Sequence, residues 1–445
     1  MTASLVGETR PGDRPNAFHA AFDGIDDLGA HGFVEHEWIV EGEASGRGEH
    51  SPDVGRAPFR TRVLVRRPAD PARATRTVVV EWLNVSGGND IAVTWSSLRD
   101  MLFRDGTTWV GVSAQPLGVH HLATWDRARY GTLHHPGLPA GDLPQFLRDE
   151  TYSERVFTEV GALLRRDEAR PLFGGARPTH LFAWGQSQSA SRLTRYVGAE
   201  HRDARVYDGF VIHGGGHALL GDPPDRATMQ AWVDGIDTPV VKVDSETEAL
   251  RAFSVQVDDT EHFRWWQVAG TGHGPGISVG DLRALYARDI GWPDLFGDPA
   301  LPYSPMTIEY ALRALSHHLE RWVGGGPPAP SAPPLVPAPD GTPDEAARDE
   351  HGNARGGVRL PHVEAPIARY HAQNGPGDLY AMFAGVEAFD AATLARLYTE
   401  PGDYAAAVAA ATERAVEQGF VLAVDAPEIV ARARETDATL VGGRT

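Results

Sequence analysis

The sequence predicts an α/β protein: a mostly parallel central sheet flanked by helices, followed by a mainly helical C-terminal appendage. Three observations predict it. The first strand-like segments alternate apolar and polar residues. Later strand-like segments are continuous apolar runs separated by helical patterns. From Phe389 onward the spacing is helical.

In chain order, "FVEHEWIVEG" (33–42) and "FRTRVLVRRP" (59–68) alternate, as strands with one solvated face do. "TRTVVVEWLN" (75–84) and "TTWVGVSAQ" (107–115) are apolar throughout, which suits strands buried on both faces. Between them, "TWSSLRDMLFRDG" (94–106) has helical spacing, with Gly106 as its stop. The alternation continues with a helix over 154–167, a strand over 179–184 and a helix over 189–200. Strands follow over 208–213, 238–244 and 263–270, then a long helix over 307–325 ended by glycine. The Pro-rich stretch 324–343 is expected to be extended and to cross the surface as a linker, outside any core. "NARGGVRLPHVEAPIARY" (353–370) offers two short strands, and two or three helices follow Phe389. The expected organisation is an N-terminal segment with an edge strand (1–50), a catalytic domain (51–325), a linker (326–345) and an appendage (346–445) that is a possible cap. No internal repeat is present.

Apolar residues make up 42% and charged residues 23% of the 445-residue chain, as in ordinary soluble globular proteins. No run approaches the ~18 apolar residues of a membrane span. "MTASLVGETRPGDRPNAF" lacks the apolar core of a secretory signal, so a cytoplasmic location is expected. Cysteine is absent, which excludes disulfides, thiolate nucleophiles and Cys-ligated metals. A net charge of -19 disfavours nucleic acid and anionic membranes as partners. Lys242 is the single lysine, so lysine-based Schiff-base or phosphate chemistry has only that residue.

"HLFAWGQSQSA" (180–190) carries the chemistry. A buried strand runs into a tight turn and then into a small-residue helix start, the setting in which G-x-S-x-G presents a nucleophilic serine. Here Ser187 occupies the nucleophile position, Gly185 the first small position, and Ser189 replaces the second glycine. The bland alternative is a Ser-rich helix cap. A serine nucleophile needs a base, and the base an orienting carboxylate, in the order Ser, Asp/Glu, His on this architecture. "TPVVKVDSETE" and "WWQVAGTGHG" both leave strand ends at their polar residues, on the edge where open α/β sheets place their sites. His273, between Gly272 and Gly274, is the candidate base. Glu248 is the candidate acid, lying several residues beyond the strand; Glu246 is the runner-up, and both are expected in a loop. The oxyanion hole is expected from the N–H of Gln188 and from the loop after the first long buried strand, between Asn84 and Ser86 and centred on Val85. Asn84, Trp125 and Tyr130 are expected to line the substrate pocket.

Taken together, "VVVEWLNVSGG", "WVGVSAQPLGV", "RYGTLHHPG", "GQSQSASRLTRYV", "YDGFVIH", "VDSETE", "VAGTGHG" and "GNARGGVRLP" resemble a bacterial branch of the α/β-hydrolase superfamily. Its members are described as "alpha/beta hydrolase domain" proteins. The resemblance covers most of the chain. It implies the α/β-hydrolase fold and an esterase-like triad at Ser187, an acid within Ser245–Glu248, and His273. The family's acidic stretch reads E-T-D, where this chain has Glu246-Thr247-Glu248.

"HGGGH" (213–217) follows the nucleophile, whereas an HGGG oxyanion loop precedes it, and glycines between two histidines fix no ligand spacing. The histidine pairs 120/121 and 134/135 are expected near the pocket, and 317/318 in a structural role. No metal or other cofactor is expected. The expected function is hydrolysis of a small-molecule carboxylic ester through an acyl-enzyme. Lactonase, thioesterase, amidase and acyltransferase activities share that machinery, and a non-catalytic binding module on the same scaffold is the alternative from another class. The helices after Phe389 are candidates to wall the Ser187 pocket, or else to brace the sheet from the far side.

Overall fold

The structure, a computed structural model, describes residues 1–14, 27–46, 54–137, 150–215, 225–274, 287–289, 299–304, 308–342, 345–375 and 383–442. His217 of the "HGGGH" stretch lies outside them. Two compact units are present: residues 1–224 with 231–240, and residues 225–230 with 241–445.

The first unit is built on β1 (Ser4–Glu8), β2 (Phe33–Gly46), β3 (Val54–Pro68), β4 (Thr77–Trp82), β5 (Thr108–Val112), β6 (His180–Gln186) and β7 (Gly209–His213), in the order β1-β2-β3-β5-β4-β6-β7. β1, β2, β3 and β5 pair antiparallel. β5, β4, β6 and β7 form the parallel part. Every residue of β4 and β5 is buried, as their continuous apolar runs require. β2 and β3, the alternating segments, pair with each other along their length. Helices Val93–Asp105, Ser153–Leu164 and Gln188–Gly198 stand where the sequence places them. Two elements go beyond the sequence reading. β1 is a five-residue strand beside β2, and Pro116–Trp125 is a helix where a loop was expected. Pro116 suits a first helical turn because that turn has no use for its missing N–H.

Two buried polar clusters bind these elements. Arg62 of β3 is fully buried and reaches Glu37 at 3.0 Å and Asp90 at 3.1 Å. Ser113 also donates to Asp90, and Tyr130 to Glu37 at 2.6 Å. Burial raises the Asp90 carboxyl above its ordinary pKa, against the opposing pull of Arg62 and Ser113. The second cluster centres on Glu81, an acid inside the apolar run of β4. Helix Val93–Asp105 has Ala92 at its N-cap, which offers no side-chain acceptor. Glu81 supplies it, accepting from Thr94 N at 2.8 Å, Trp95 N at 3.0 Å and Trp109 Nε1 at 2.9 Å.

The second unit contains the adjacent strands β8 (Val240–Ser245) and β9 (Phe263–Val268), helix Glu309–Val323, the two-stranded β10 (Ala368–His371) and β11 (Gly385–Ala388), and helices Asp403–Glu417 and Ala426–Gly442. Lys242 is buried in an ion pair with Asp244 and lies over the Trp265 ring at 4.6 Å, so the single lysine is a core residue. The Pro-rich stretch is extended, as expected, but it is not a free linker. Leu335 is buried in a cluster with Ala249, Leu250, Ala269, Ala346, Ala354 and Ala372. Leu335 N donates to Gln267 Oε1 at 2.7 Å, and Pro330 O accepts from Trp266 Nε1 at 2.7 Å. An extended chain turns alternate side chains one way, so one apolar residue among prolines suffices to seat it. The C-terminal helices pack on helix Glu309–Val323 and on β9. Phe420 meets the Trp266 ring edge-on at 4.9 Å, His318 Nε2 lies 2.8 Å from Gly419 O, and Arg313 lies 3.5 Å from Asp425. Among the described residues no helix is long and apolar enough to cross a membrane.

Burial pushes Glu81 up to about 7, with its three hydrogen bonds opposing. Folding therefore binds a proton to Glu81 over the window from its ordinary value near 4.5 to about 7, and this group's contribution to stability declines as pH rises through that window. Glu81→Gln turns an NH₂ toward the helix N–H groups and is expected to destabilise by about 1–3 kcal/mol at pH 5. The gap to wild type narrows toward pH 7 because Gln does not titrate; thermal melts across that range check both effects.

Candidate active site

Ser187 stands between β6 and helix Gln188–Gly198 at φ 59°, ψ -116°. Among the described residues, Arg205 is the only other non-glycine residue with positive φ, and it sits in the ordinary left-handed region at a helix end. Ser187 is therefore held in a strained turn that projects its side chain from the chain reversal. The sequence explains how. A Cβ on Gly185 would lie 2.7 Å from the Ser189 carbonyl oxygen, so the position two before Ser187 accepts only glycine. The position two after is less restricted. Ser189 is buried, its Oγ donates to Gln186 O at 3.0 Å and accepts from Gln186 N at 3.0 Å, and these bonds close the turn from inside. Ser187 N donates to His213 O of β7 at 2.9 Å.

The loop after β4 is tied to this turn. Asn84 Nδ2 donates to Gln186 O at 2.9 Å, and its Oδ1 accepts from Ser86 N at 2.7 Å. Asn84 is 3% exposed with both amide atoms engaged, so it acts as a strut for the loop rather than as the pocket group expected. Gln188 begins the helix, and its N–H is among the four helix amides with no intrahelical acceptor. The N–H of Val85 faces the same residue, 3.5 Å from Gln188 Oε1. Gln115, at the end of the β5 run, was not singled out from the sequence. Its Nε2 donates to Leu83 O and to Gln188 Oε1, both at 3.0 Å, and its Oε1 accepts from Gln188 Nε2. Its place at a neighbouring strand end on the same sheet edge was the available signal.

Trp125 and Tyr130 stand in a buried cluster with Ile39, Val119, Leu122 and Leu133. Tyr130 has no exposure, and Arg14 covers the Trp125 ring at 4.4 Å. The expectation that they line a pocket is not met, because their faces are spent on packing. His135 is likewise buried, and His134 forms a bridge with Arg60.

The acid and base candidates belong to the second unit. The expected acidic loop is a short helix, Glu246–Arg251, begun by a capping box. Glu248 Oε2 accepts from Ser245 N at 2.9 Å and from Ser245 Oγ at 2.5 Å. Its other oxygen, Oε1, lies 2.5 Å from His273 Nδ1. Glu246 is fully buried and otherwise engaged: Oε2 accepts from Gly270 N at 2.7 Å and Oε1 from Arg348 Nη1 at 2.6 Å. The extra methylene of Glu over Asp lets Glu248 bond back to its own helix start and forward to His273. The imidazole is 15% exposed. Burial lowers its pKa, but Glu248 outweighs this by charge and hydrogen bond, with Arg251 opposing and Asp244 adding, so the result is above the ordinary value. With Nδ1 facing a carboxylate, the proton of neutral His273 sits on Nδ1 and Nε2 carries the lone pair.

Among the described residues, no group of three or more His, Asp and Glu side chains is gathered to hold a metal ion. No curated protein sequence matches the chain. Solved structures give distant likenesses. Esterase Est22 is 11% identical over 68% of this chain and 85% of its own, with a TM-score of 0.34. An esterase of Pyrococcus furiosus is 8% identical over 59% and 88%, with a TM-score of 0.32. An alpha-beta serine hydrolase homologue of Coxiella burnetii is 13% identical over 56% and 96%, with a TM-score of 0.29. The profile of one family, described as "Alpha/beta hydrolase domain", matches residues 6–431. With the strained strand–serine–helix turn on a parallel sheet, that match over nearly the whole chain makes this protein a member of the α/β-hydrolase domain family.

Proposed function

We propose that the protein is a serine hydrolase of carboxylic esters, with Ser187 as nucleophile, His273 as general base and Glu248 as the acid that orients it. The observation that carries this reading is the conformation of Ser187 at φ 59°, ψ -116°, a strain that a mere helix cap has no reason to keep. In the proposed reaction Ser187 Oγ attacks the acyl carbon and its proton passes to His273 Nε2. Glu248 holds the Nδ1–H and stabilises the imidazolium. The N–H groups of Gln188 and Val85 take the oxyanion. The 3.5 Å contact of Val85 N with Gln188 Oε1 is long, so an oxyanion displaces it at little cost. His273 then returns the proton to the leaving alcohol, and water, deprotonated by the same imidazole, releases the acid. Water is the only co-reactant in these steps.

Ser187→Ala is expected to lower kcat by about 10⁴ to 10⁶-fold with an unchanged melting temperature, and to abolish labelling by a fluorophosphonate probe. Ser189→Ala is expected to do the reverse: labelling persists and the protein loses about 1–2 kcal/mol, because Gln186 loses both of its backbone bonds to the Ser189 hydroxyl while its carbonyl keeps Asn84. Equal loss of turnover in both variants, or no labelling of the wild type, refutes the assignment of Ser187.

The base must be neutral to act. Because His273 is raised above its ordinary 6.5, the acidic limb of kcat/KM is expected above that pH, with activity lost as pH falls through it. Glu248→Gln is expected to lower kcat by about 10³ to 10⁴-fold. It also moves the limb to lower pH, since the group that raises His273 is gone. A pH–rate profile in which Glu248→Gln leaves the limb in place removes Glu248 from the triad.

A further inference from the structure

We propose that Arg348, which lies beyond the Pro-rich stretch, is a positioning residue for the Glu248–His273 pair and acts on it through Glu246. This role rests on the acid–base reading above. Glu246 staples the two arms that carry the pair. Its backbone N donates to Thr271 O at 3.1 Å and its Oε2 accepts from Gly270 N at 2.7 Å. Glu248 is two residues along the same helical turn, and His273 is three residues beyond Gly270. The Glu246 bonds thus fix the spacing across which Glu248 and His273 meet.

A fully buried carboxylate in that place requires a countercharge. Arg348 supplies it at 2.6 Å from Oε1. Arg348 has no competing claim within its own segment, because the neighbouring Asp349 is taken by Arg359 at 2.8 Å and Arg359 also pairs with Glu364. The same C-terminal stretch grips both arms elsewhere. Thr247 Oγ1 donates to Ala372 O at 2.6 Å, Ala269 N donates to Val358 O at 3.1 Å, and Gly274 forms a bridge with Phe383. Arg348 is the one contact in this set that brings charge.

The charge gives the proposal a signature that packing does not share. The charged groups that act most on His273 are Glu248, Arg251 and Asp244. Asp244 is already neutralised by Lys242 and bonded by Trp265 Nε1 at 2.9 Å. Glu387, from β11, is engaged at the surface by Arg369 and His371. With Arg348 gone, the bond from Gly270 N still favours an ionised Glu246, which then stands without its countercharge beside the acid–base pair. An unpaired negative charge favours the imidazolium, so the His273 pKa rises.

The test uses the full chain with Arg348→Gln, Arg348→Lys and the double variant Arg348→Gln with Glu246→Gln. It reads the pH–rate profile and, by NMR with His273→Ala for assignment, the titration of the His273 ring. Arg348→Gln is expected to lower kcat about tenfold with KM little changed, and to move the His273 titration and the acidic limb to higher pH. Arg348→Lys keeps the charge and is expected to hold the titration at its wild-type position. The double variant is expected to return it there, as a coupled pair does. A His273 titration that stays in place in Arg348→Gln, with only a lowered melting temperature, overturns the proposal. If Arg348→Gln does not fold, the decision passes to Arg348→Lys and the double variant, and a titration displaced from wild type in either overturns it. The NMR titration needs no turnover. A ring that shifts as expected in a protein whose hydrolysis survives Ser187→Ala would refute the serine mechanism and leave the role of Arg348 standing.

Discussion

The site depends first on keeping one serine in a backbone conformation that serines avoid. A residue forced out of the populated regions costs about 1–3 kcal/mol, and nothing in Ser187 itself repays that. The surroundings do. Ser187 N is tied to the end of β7, Gln186 is tied by its carbonyl to Asn84 and by both backbone groups to Ser189, and Gly185 leaves room for the helix to start directly beneath. Each net bond is worth about 1 kcal/mol, so two or three of them balance the strain. This places the cost of the turn on the sheet and on the loop after β4. It also means that the residues most important to Ser187 are not the ones that would touch a substrate.

The same economy recurs at the acid. A carboxylate has two oxygens, and Glu248 divides them between its own helix start and His273. The capping bonds fix the carboxylate plane, which in turn fixes the ring that donates to it. Glu246 divides its oxygens similarly, between the turn that carries His273 and an arginine from beyond the Pro-rich stretch. Two glutamates two residues apart thus face different ways, because two residues rotate a helix by roughly 200°, and only Glu248 faces His273.

Much of this was legible in the sequence. The continuous apolar runs of β4 to β9 located the strands, and the strand–Gly-x-Ser–helix pattern located the elbow, because buried strands and a strained turn leave strong local signatures. That Glu248 and not Glu246 meets His273 was legible too, but by another route than distance from the strand. Ser245-x-x-Glu248 is a capping-box spacing, and recognising it would have converted the supposed loop into a helix start. Trp125 and Tyr130 are expected in the pocket and stand in a core, since an aromatic residue in a polar stretch has the same local pattern whether it faces a ligand or a core. Burial against Ile39, some ninety residues away in sequence, decides it. Leu335 was missed for the same reason: a single apolar residue has no period.

The glycines around His273 have a physical reason that the sequence alone does not show. Glycine is the residue that turns a backbone most freely. Gly270 does need that freedom, at φ +74°. Gly272 and Gly274 do not take positive φ. What they need is thinness: a Cβ on Gly272 would lie 2.4 Å from Ala384 N, and one on Gly274 would lie 2.5 Å from the Phe383 ring. In extended chain, alternate residues share a face. Glycines on either side of His273 therefore flatten the face that lies against residues 383–384, and the imidazole leaves from the opposite face. The "GTGHG" pattern is in this sense half of an interface whose other half is more than a hundred residues downstream. The region set apart as an appendage by its composition is, at residues 346–375 and 383–388, part of the structure that holds Glu248 and His273.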